Sequence, residues 1–202
     1  MLSLPAPMSA SASTRHFLHI ATSRDKVKEP EHRRDFKLPF SSVEPLLKAA
    51  LDGNLGAILV DALGREAVLS ELTVIRSELG AASQEWHSDS NWGATEPRRC
   101  TFFFALHDIL EEDMGPSYFC PNTHAPRCFP DERWIPPAAA LVENRPSVWF
   151  ALHAGDAVLF DAFTWHKGGA NTGKSTRTIL AVTFLGGEGA SGEIRLGDFV
   201  SA

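Results

Sequence analysis

A chain of 202 residues with 44% apolar letters can bury one sizeable core without disulfide or metal staples, and no apolar run in it is long enough for a membrane-spanning helix. Its formal charge of −6 is uneven: residues 1–40 carry 7 Lys/Arg against 4 Asp/Glu, and the remainder 12 against 21. An acidic body offers no footprint for a nucleic-acid backbone, so DNA and RNA rank low as partners.

The first 24 residues hold no acid, two arginines (Arg15 and Arg24) and many Ser and Ala. They read either as an ordinary N-terminal lead-in or as an organellar transit segment. Pro30 and Pro39 bracket a charged stretch, 31–37, that reads as a linker or extended lead-in, so residues 1–40 form an extension and 41–202 one domain. Past Ser41 and Ser42, the apolar positions Val43, Leu46, Leu47, Ala50 and Leu51 recur at helical spacing, and Gly53 closes the segment. The apolar runs 56–60 and 66–69, separated by Gly64, read as a second helix. From Leu72 the texture changes to short β-rich runs punctuated by Gly, Pro, Asn and Asp, at 72–78, 100–106, 117–120, 148–152, 157–160 and 176–185.

Six such runs imply a mainly-β fold, a sandwich or jelly-roll barrel whose core strands occupy about residues 70–185. On the last of them Arg177, Ile179, Ala181 and Thr183 share one face and Thr178, Leu180, Val182 and Phe184 the other. Both faces are largely apolar, so one is expected to line a pocket and the other to pack under the N-terminal helices. Alternation likewise puts Phe103 on the opposite face from Phe102 and Phe104. Residues 186–202 read as a Gly-rich tail with one short strand.

The chemistry sits in three residues. His87 and Asp89 are two apart, and on a strand such a pair faces one side with α-carbons about 6.6 Å apart, close enough to converge on one ion. A second imidazole, His166, follows 77 positions later, after the apolar run 157–160. Two His and one carboxylate on one face of an ion leave the opposite positions open, an arrangement that selects Fe(II) for oxygen activation. Arg177, 11 positions beyond His166 and past a turn-rich stretch, opens the next strand. Its planar fork suits a bidentate hold on a carboxylate. A cosubstrate with a 2-oxo acid at one end and a carboxylate at the other, 2-oxoglutarate, fits metal and arginine together.

With these motifs the chain resembles the phytanoyl-CoA dioxygenase family of Fe(II)/2-oxoglutarate oxygenases. The resemblance spans about residues 70–185 and rests on Trp86-His87-Ser88-Asp89, the aromatic run 101–108, the segment 115–124, Gly155-Asp156 leading to His166, and Arg177. Any one is weak; the ordered set is specific. It implies a double-stranded β-helix, cupin-like, with helices packed outside. It also implies His87, Asp89 and His166 as ligands of Fe(II), Arg177 as the 2-oxoglutarate clamp, and Phe103 and Thr101 on the cosubstrate pocket wall. The reaction implied consumes O2 and 2-oxoglutarate, releases succinate and CO2, and hydroxylates a small organic substrate. Family members carry a longer helical segment ahead of the His-x-Asp motif than the 86 residues found here. Acyl-CoA is not favoured, because beyond Arg98, Arg99, Arg127, Arg133 and Arg145 little basic material is clustered to meet its phosphates.

Other readings compete. Taken alone, a His-x-Asp pair is more often a surface hydrogen-bonded pair than a metal site, and Arg177 could pair with Asp161 or Glu85; the joint pattern reverses those odds. Cys100, Cys120, His124 and Cys128 could be set out as a zinc site, against the simpler reading of Cys100 and Cys120 as small core residues on strands. The odd cysteine count without a secretory pattern points to a reducing, intracellular setting, the cytoplasm or, with a transit segment, an organelle. His16, His19, His32, His107, His124 and His153 read as structural or surface residues. Two functional alternatives keep the triad: a catalytically idle metal-binding barrel acting as a sensor or interaction module, and a cupin-like isomerase or hydrolase on another divalent ion, against which Arg177 speaks.

Overall fold

The computed structural model describes residues 31–90, 97–124, 142, 145–187 and 190–201. The two amphipathic segments form α1 (Glu44–Leu51) and α2 (Asn54–Leu63). Pro45 sits in the first turn of α1, where its missing N–H costs nothing. Leu47, Ala50 and Leu51 of α1 and Leu55, Leu59 and Leu63 of α2 are buried. Gly64 then takes φ +82° and ends α2, a left-handed conformation that glycine adopts without steric cost.

Five antiparallel strands make the main sheet, in the order β1 (Arg33–Lys37), β2 (Val68–Ser77), β7 (Arg177–Gly186), β3 (Arg98–Ala105) and β5 (Ala157–Asp161). Opposite it lies a short pair, β4 (Ser117–Phe119) with β6 (His166–Gly168). Single bridges widen that layer on both sides, Val148 to Phe119 and His87 to His166. Together the layers form the mainly-β jelly roll expected from the strand pattern.

Alternation along the strands sorts the core. Phe102 and Phe104 of β3 and Leu180, Val182 and Phe184 of β7 face outward and pack with α1 and α2. Phe103, Ile179 and Ala181 face inward and pack with Phe119 and Phe160 between the layers. Central β7 is therefore covered on both faces, which is why its sequence is nearly continuous in apolar letters.

Three segments differ from the sequence reading. Residues 66–69 do not continue a second helix: after Gly64 the chain straightens, and Val68 and Leu69 begin β2, paired with Leu185 and Phe184 across an irregularity before Glu71. The run 148–152 makes single bridges at Val148 and Leu152, the latter to Ile109, and no ladder. The tail docks: Leu196 and Phe199 are buried, Phe199 meets Phe40 and Phe184 edge-on, and Arg195 bridges to Val68. Of the N-terminal extension, Arg33–Lys37 is the edge strand β1, paired with β2 from Arg33–Ser77 to Lys37–Thr73. The segment read as lead-in or transit signal, with Arg15, Arg24, His16 and His19, lies outside the described residues.

Phe102 is fully buried on the face away from the metal triad, stacked on Phe184 and edge-on to Phe104. Phe102→Ala is expected to destabilise the fold by about 3–5 kcal/mol, read as a lower denaturation midpoint in urea.

Candidate metal centre

His87 and His166 become neighbours through the backbone. The His87 N–H donates to the His166 carbonyl at 3.0 Å and the His166 N–H to the His87 carbonyl at 2.8 Å, the reciprocal pair of an antiparallel bridge. Residues so paired project side chains to the same face, and the two rings lie 4.5 Å apart between centroids. The Asp89 N–H donates to the Ala162 carbonyl at 2.9 Å, so the segment runs alongside the turn before β6 and brings Asp89 to the same side.

The donor atoms converge without bonding one another. His166 Nε2 is 3.6 Å and His87 Nε2 3.9 Å from Asp89 Oδ1, both beyond hydrogen-bond range, and one ligand atom from each residue lies within 4.8 Å of the others. Each imidazole is also fixed in its tautomer. His87 Nδ1 lies 2.9 Å from the Glu85 carbonyl and His166 Nδ1 2.9 Å from the Thr164 carbonyl. A carbonyl only accepts, so both Nδ1 atoms carry the proton and both Nε2 lone pairs face Asp89, the outer-shell arrangement of metal-ligating histidines. Burial, opposed by Asp89 and reinforced by His87, lowers the His166 pKa, so that ring is neutral near neutral pH. The donor set thus fits a divalent ion and leaves one side of it open. Among the described residues this is the one His/Cys/Asp/Glu group so arranged.

Exposure is graded across the triad. His166 is 4% exposed, walled by Phe103, Phe119 and Phe160, whereas His87 and Asp89 are 39% and 35% exposed. A cavity of about 640 Å³, counted with its open mouth, joins the triad to Arg177. Phe103 and Thr101 are among the residues that line it. The Thr101 hydroxyl is engaged with that of Thr183 at 2.9 Å.

Arg177 lies at the inner end, 1% exposed. Its Nη1 donates to the Ser117 hydroxyl at 3.2 Å, and its Nε has no hydrogen-bond partner. Neither Asp161 nor Glu85 pairs with it; Asp161 meets Arg98 instead. Burial, with the nearby charge of Arg33, pulls the Arg177 pKa down to about 9 against a smaller lift from Asp35. Among the described residues no carboxylate forms an ion pair with this guanidinium, although a buried cation calls for one.

Sequence reasoning missed several wall residues. Ser117 sits inside the 115–124 motif, but nothing local marks its hydroxyl as a partner of Arg177. Gln84 lines the cavity and accepts the Gly168 N–H at 2.8 Å through its side-chain oxygen. Asp35 and Glu71 border the same cavity from β1 and β2, and Glu71 is held by Lys37 and the Thr73 hydroxyl. The zinc arrangement does not form among the described residues. Cys100 packs in the outer core and Cys120 beside Trp165, while Cys128 lies outside the described residues. His107 is structural, accepting the Thr178 N–H at 2.8 Å at the start of β7.

Fold and site define a jelly-roll protein with a converging His/Asp/His donor set and a buried arginine on the same cavity. The family model described as "Phytanoyl-CoA dioxygenase (PhyH)" matches residues 8–179, and the chain belongs to that family. Solved structures share the fold. The epimerase SnoN in complex with Fe3+, alpha ketoglutarate and nogalamycin RO is 20% identical with TM-score 0.59, over 77% of this chain and 64% of that one. HygX from Streptomyces hygroscopicus, with nickel and 2-oxoglutarate bound, is 15% identical with TM-score 0.60, over 87% and 78%. AviO1 from Streptomyces viridochromogenes Tue57 is 24% identical with TM-score 0.55, over 68% and 57%. The chain therefore spans less than two thirds of the AviO1 chain and of the SnoN chain in that complex.

His87→Ala and Asp89→Ala are each expected to lose stoichiometric Fe(II) in protein purified without oxygen, while Cys120→Ser keeps it. One iron per chain retained in either of the first two variants removes that residue from the ligand set.

Proposed function

We propose that this protein is an Fe(II)- and 2-oxoglutarate-dependent dioxygenase that hydroxylates a small organic molecule. The observation that carries the reading is the pairing of two deficits along one cavity: a His87/Asp89/His166 donor set open on one side, and a buried Arg177 with no carboxylate partner among the described residues. A 2-oxo dicarboxylate meets both demands at once. Its 2-oxo acid end suits a metal with open positions, and its distal carboxylate suits the guanidinium. Family membership and the metal and 2-oxoglutarate bound in SnoN and HygX support the same reading.

Iron with 2-oxoglutarate and O2 supplies an oxidant strong enough for an unactivated C–H bond, with succinate and CO2 as the coproducts. The chain's own task is to hold and to exclude. His87 and His166 present Nε2 lone pairs fixed by the Glu85 and Thr164 carbonyls, and Asp89 adds the anionic ligand. Phe103, Phe119 and Phe160 keep water from the His166 side. Arg177, steadied by Ser117, fixes the far end of the cosubstrate, and the more exposed side at His87 and Asp89 is where the substrate arrives. The cavity wall also carries Asp35, Glu71 and Gln84, polar groups suited to a polar metabolite. The odd cysteine count fits a reducing, intracellular setting, and no helix among the described residues is long and apolar enough to cross a membrane.

With Fe(II) and ascorbate the protein is expected to release succinate from 2-oxoglutarate in air and not under nitrogen. No succinate under either atmosphere would favour an idle metal-binding barrel. Arg177→Lys is expected to raise the 2-oxoglutarate requirement about tenfold or more, because losing a bidentate charge-assisted hold typically costs about 1.5–3 kcal/mol. An unchanged requirement would place the carboxylate elsewhere.

A further inference from the structure

A histidine completes the hydrogen bonding at the head of β7. The register between β3 and β7 ends at Ala105 and Ile179, and beyond it the two chains stay joined by two bonds to Thr178. The Leu106 N–H donates to the Thr178 carbonyl at 3.3 Å, and the Thr178 N–H donates to His107 Nε2 at 2.8 Å. A ring nitrogen therefore stands where an antiparallel ladder would place a backbone carbonyl. On the other side of β7, Arg76 and Ser77 of β2 are the register partners of Thr178 and Arg177. Thr178 directly follows Arg177, whose side chain lines the cavity and is 1% exposed.

This bond exists in one protonation state only. His107 Nδ1 lies 2.9 Å from the Asp108 carbonyl, which can only accept, so the neutral ring carries its proton on Nδ1 and leaves Nε2 to accept. A second proton, on Nε2, sets a donor against the Thr178 N–H, and the bond is lost. The charged groups around the ring are Asp108 next to it, His153 with Nδ1 3.5 Å from Asp108 Oδ1, and, level with Thr178 on β2, Arg76 with Glu78 at 3.4 Å. The Ala154 N–H, donating at 2.9 Å, holds the Asp108 carboxyl below its ordinary range against a smaller effect of burial, helped by His153 and His107. Asp108 therefore keeps its charge over the range in which imidazoles titrate.

We propose that His107 is a positioning residue for Arg177: its neutral ring anchors Thr178 and so fixes the backbone from which the guanidinium reaches the cavity, and its protonation releases that anchor. The proposal rests on the 2-oxoglutarate reading above and adds to it a proton-sensitive control. His107 is not among the residues that line the triad cavity, so it acts through β7 rather than on a ligand. The anchored state holds while the ring is neutral and is lost as pH falls through its titration, and the hold on a distal carboxylate weakens with it.

The test is calorimetric titration of the anaerobic, Ni(II)-loaded full chain with 2-oxoglutarate and with 2-oxopentanoate, which carries a methyl group in place of the distal carboxylate. Both acids chelate the metal alike, so titration of His87 and His166 cancels in the ratio of the two affinities. The distal carboxylate stays ionised between about pH 6 and about pH 8, and Arg177, with its pKa near 9, only gains charge on acidification, which acts in the opposite direction. In wild type the preference for 2-oxoglutarate is expected to fall about fivefold from about pH 8 to about pH 6, the size of one hydrogen bond. His107→Gln places an amide oxygen where Nε2 lies and does not titrate; it is expected to keep the wild-type preference of about pH 8 within about twofold at both values. His107→Leu is expected to show the weakened preference at both, and should it fail to fold, the Gln variant still decides. A flat wild-type ratio overturns the proposal and leaves the Arg177 clamp standing, and an equal fall in His107→Gln assigns the proton to another group and overturns it too. A wild-type protein with no preference for 2-oxoglutarate at about pH 8 removes the clamp reading and this inference together.

Discussion

The reciprocal backbone hydrogen bonds between His87 and His166 are the constraint on which the site depends. They lock two segments distant in the chain into one bridge, point both imidazoles the same way and leave each Nδ1 facing a local carbonyl, so that only Nε2 remains to ligate. Asp89 follows because its own N–H is tied to Ala162 in the turn ahead of β6. The ligand geometry is therefore set by main-chain pairing rather than by side-chain packing. A site built this way tolerates the half-exposure of His87 and Asp89, since backbone bonds rather than burial hold their positions.

The molecule divides stability and chemistry between the two faces of one sheet. Outward, Phe102, Phe104, Val182 and Phe184 meet the leucines of α1 and α2 in the larger apolar cluster. Inward, the same strands carry Thr101, Phe103, Arg177 and Thr183, and the rung at Arg177 holds buried polar atoms without partners. Each uncompensated buried charge costs about several kcal/mol after relaxation, and burial of the outer cluster has to offset it. Because side chains alternate along a strand, the two faces change almost independently: an outer substitution alters stability and an inner one alters recognition.

The parts of this arrangement that were legible in the sequence are those in which spacing within one segment carries the information. The i, i+2 spacing of His87 and Asp89, the position of Arg177 at the head of an apolar strand, the alternation of Phe103 against its neighbours and the helical spacing from Val43 to Leu51 are all local. The rest depends on which segments pair. Arg33 lies in a charged stretch between two prolines, where nothing local separates a buried strand residue from a solvated linker; its burial follows from pairing with Ser77. Leu196 and Phe199 sit in a Gly-rich tail and gain their role only by docking near Phe184 and Phe40. Val68 and Leu69 follow a helix in sequence, and their strand character is decided by β7 lying beside them.

The edge position of β1 also explains how a short chain can complete a pocket. An edge strand offers unpaired backbone groups on one side and normally adds little to a core. Here its inward residues do different work along the strand: Arg33 lies beneath Gly168, Asp35 lines the cavity, and Lys37 holds Glu71 at the mouth. β1 thus sets a buried arginine behind Gly168, an acid on the cavity wall and a lysine against Glu71 of the neighbouring strand β2, all within five residues.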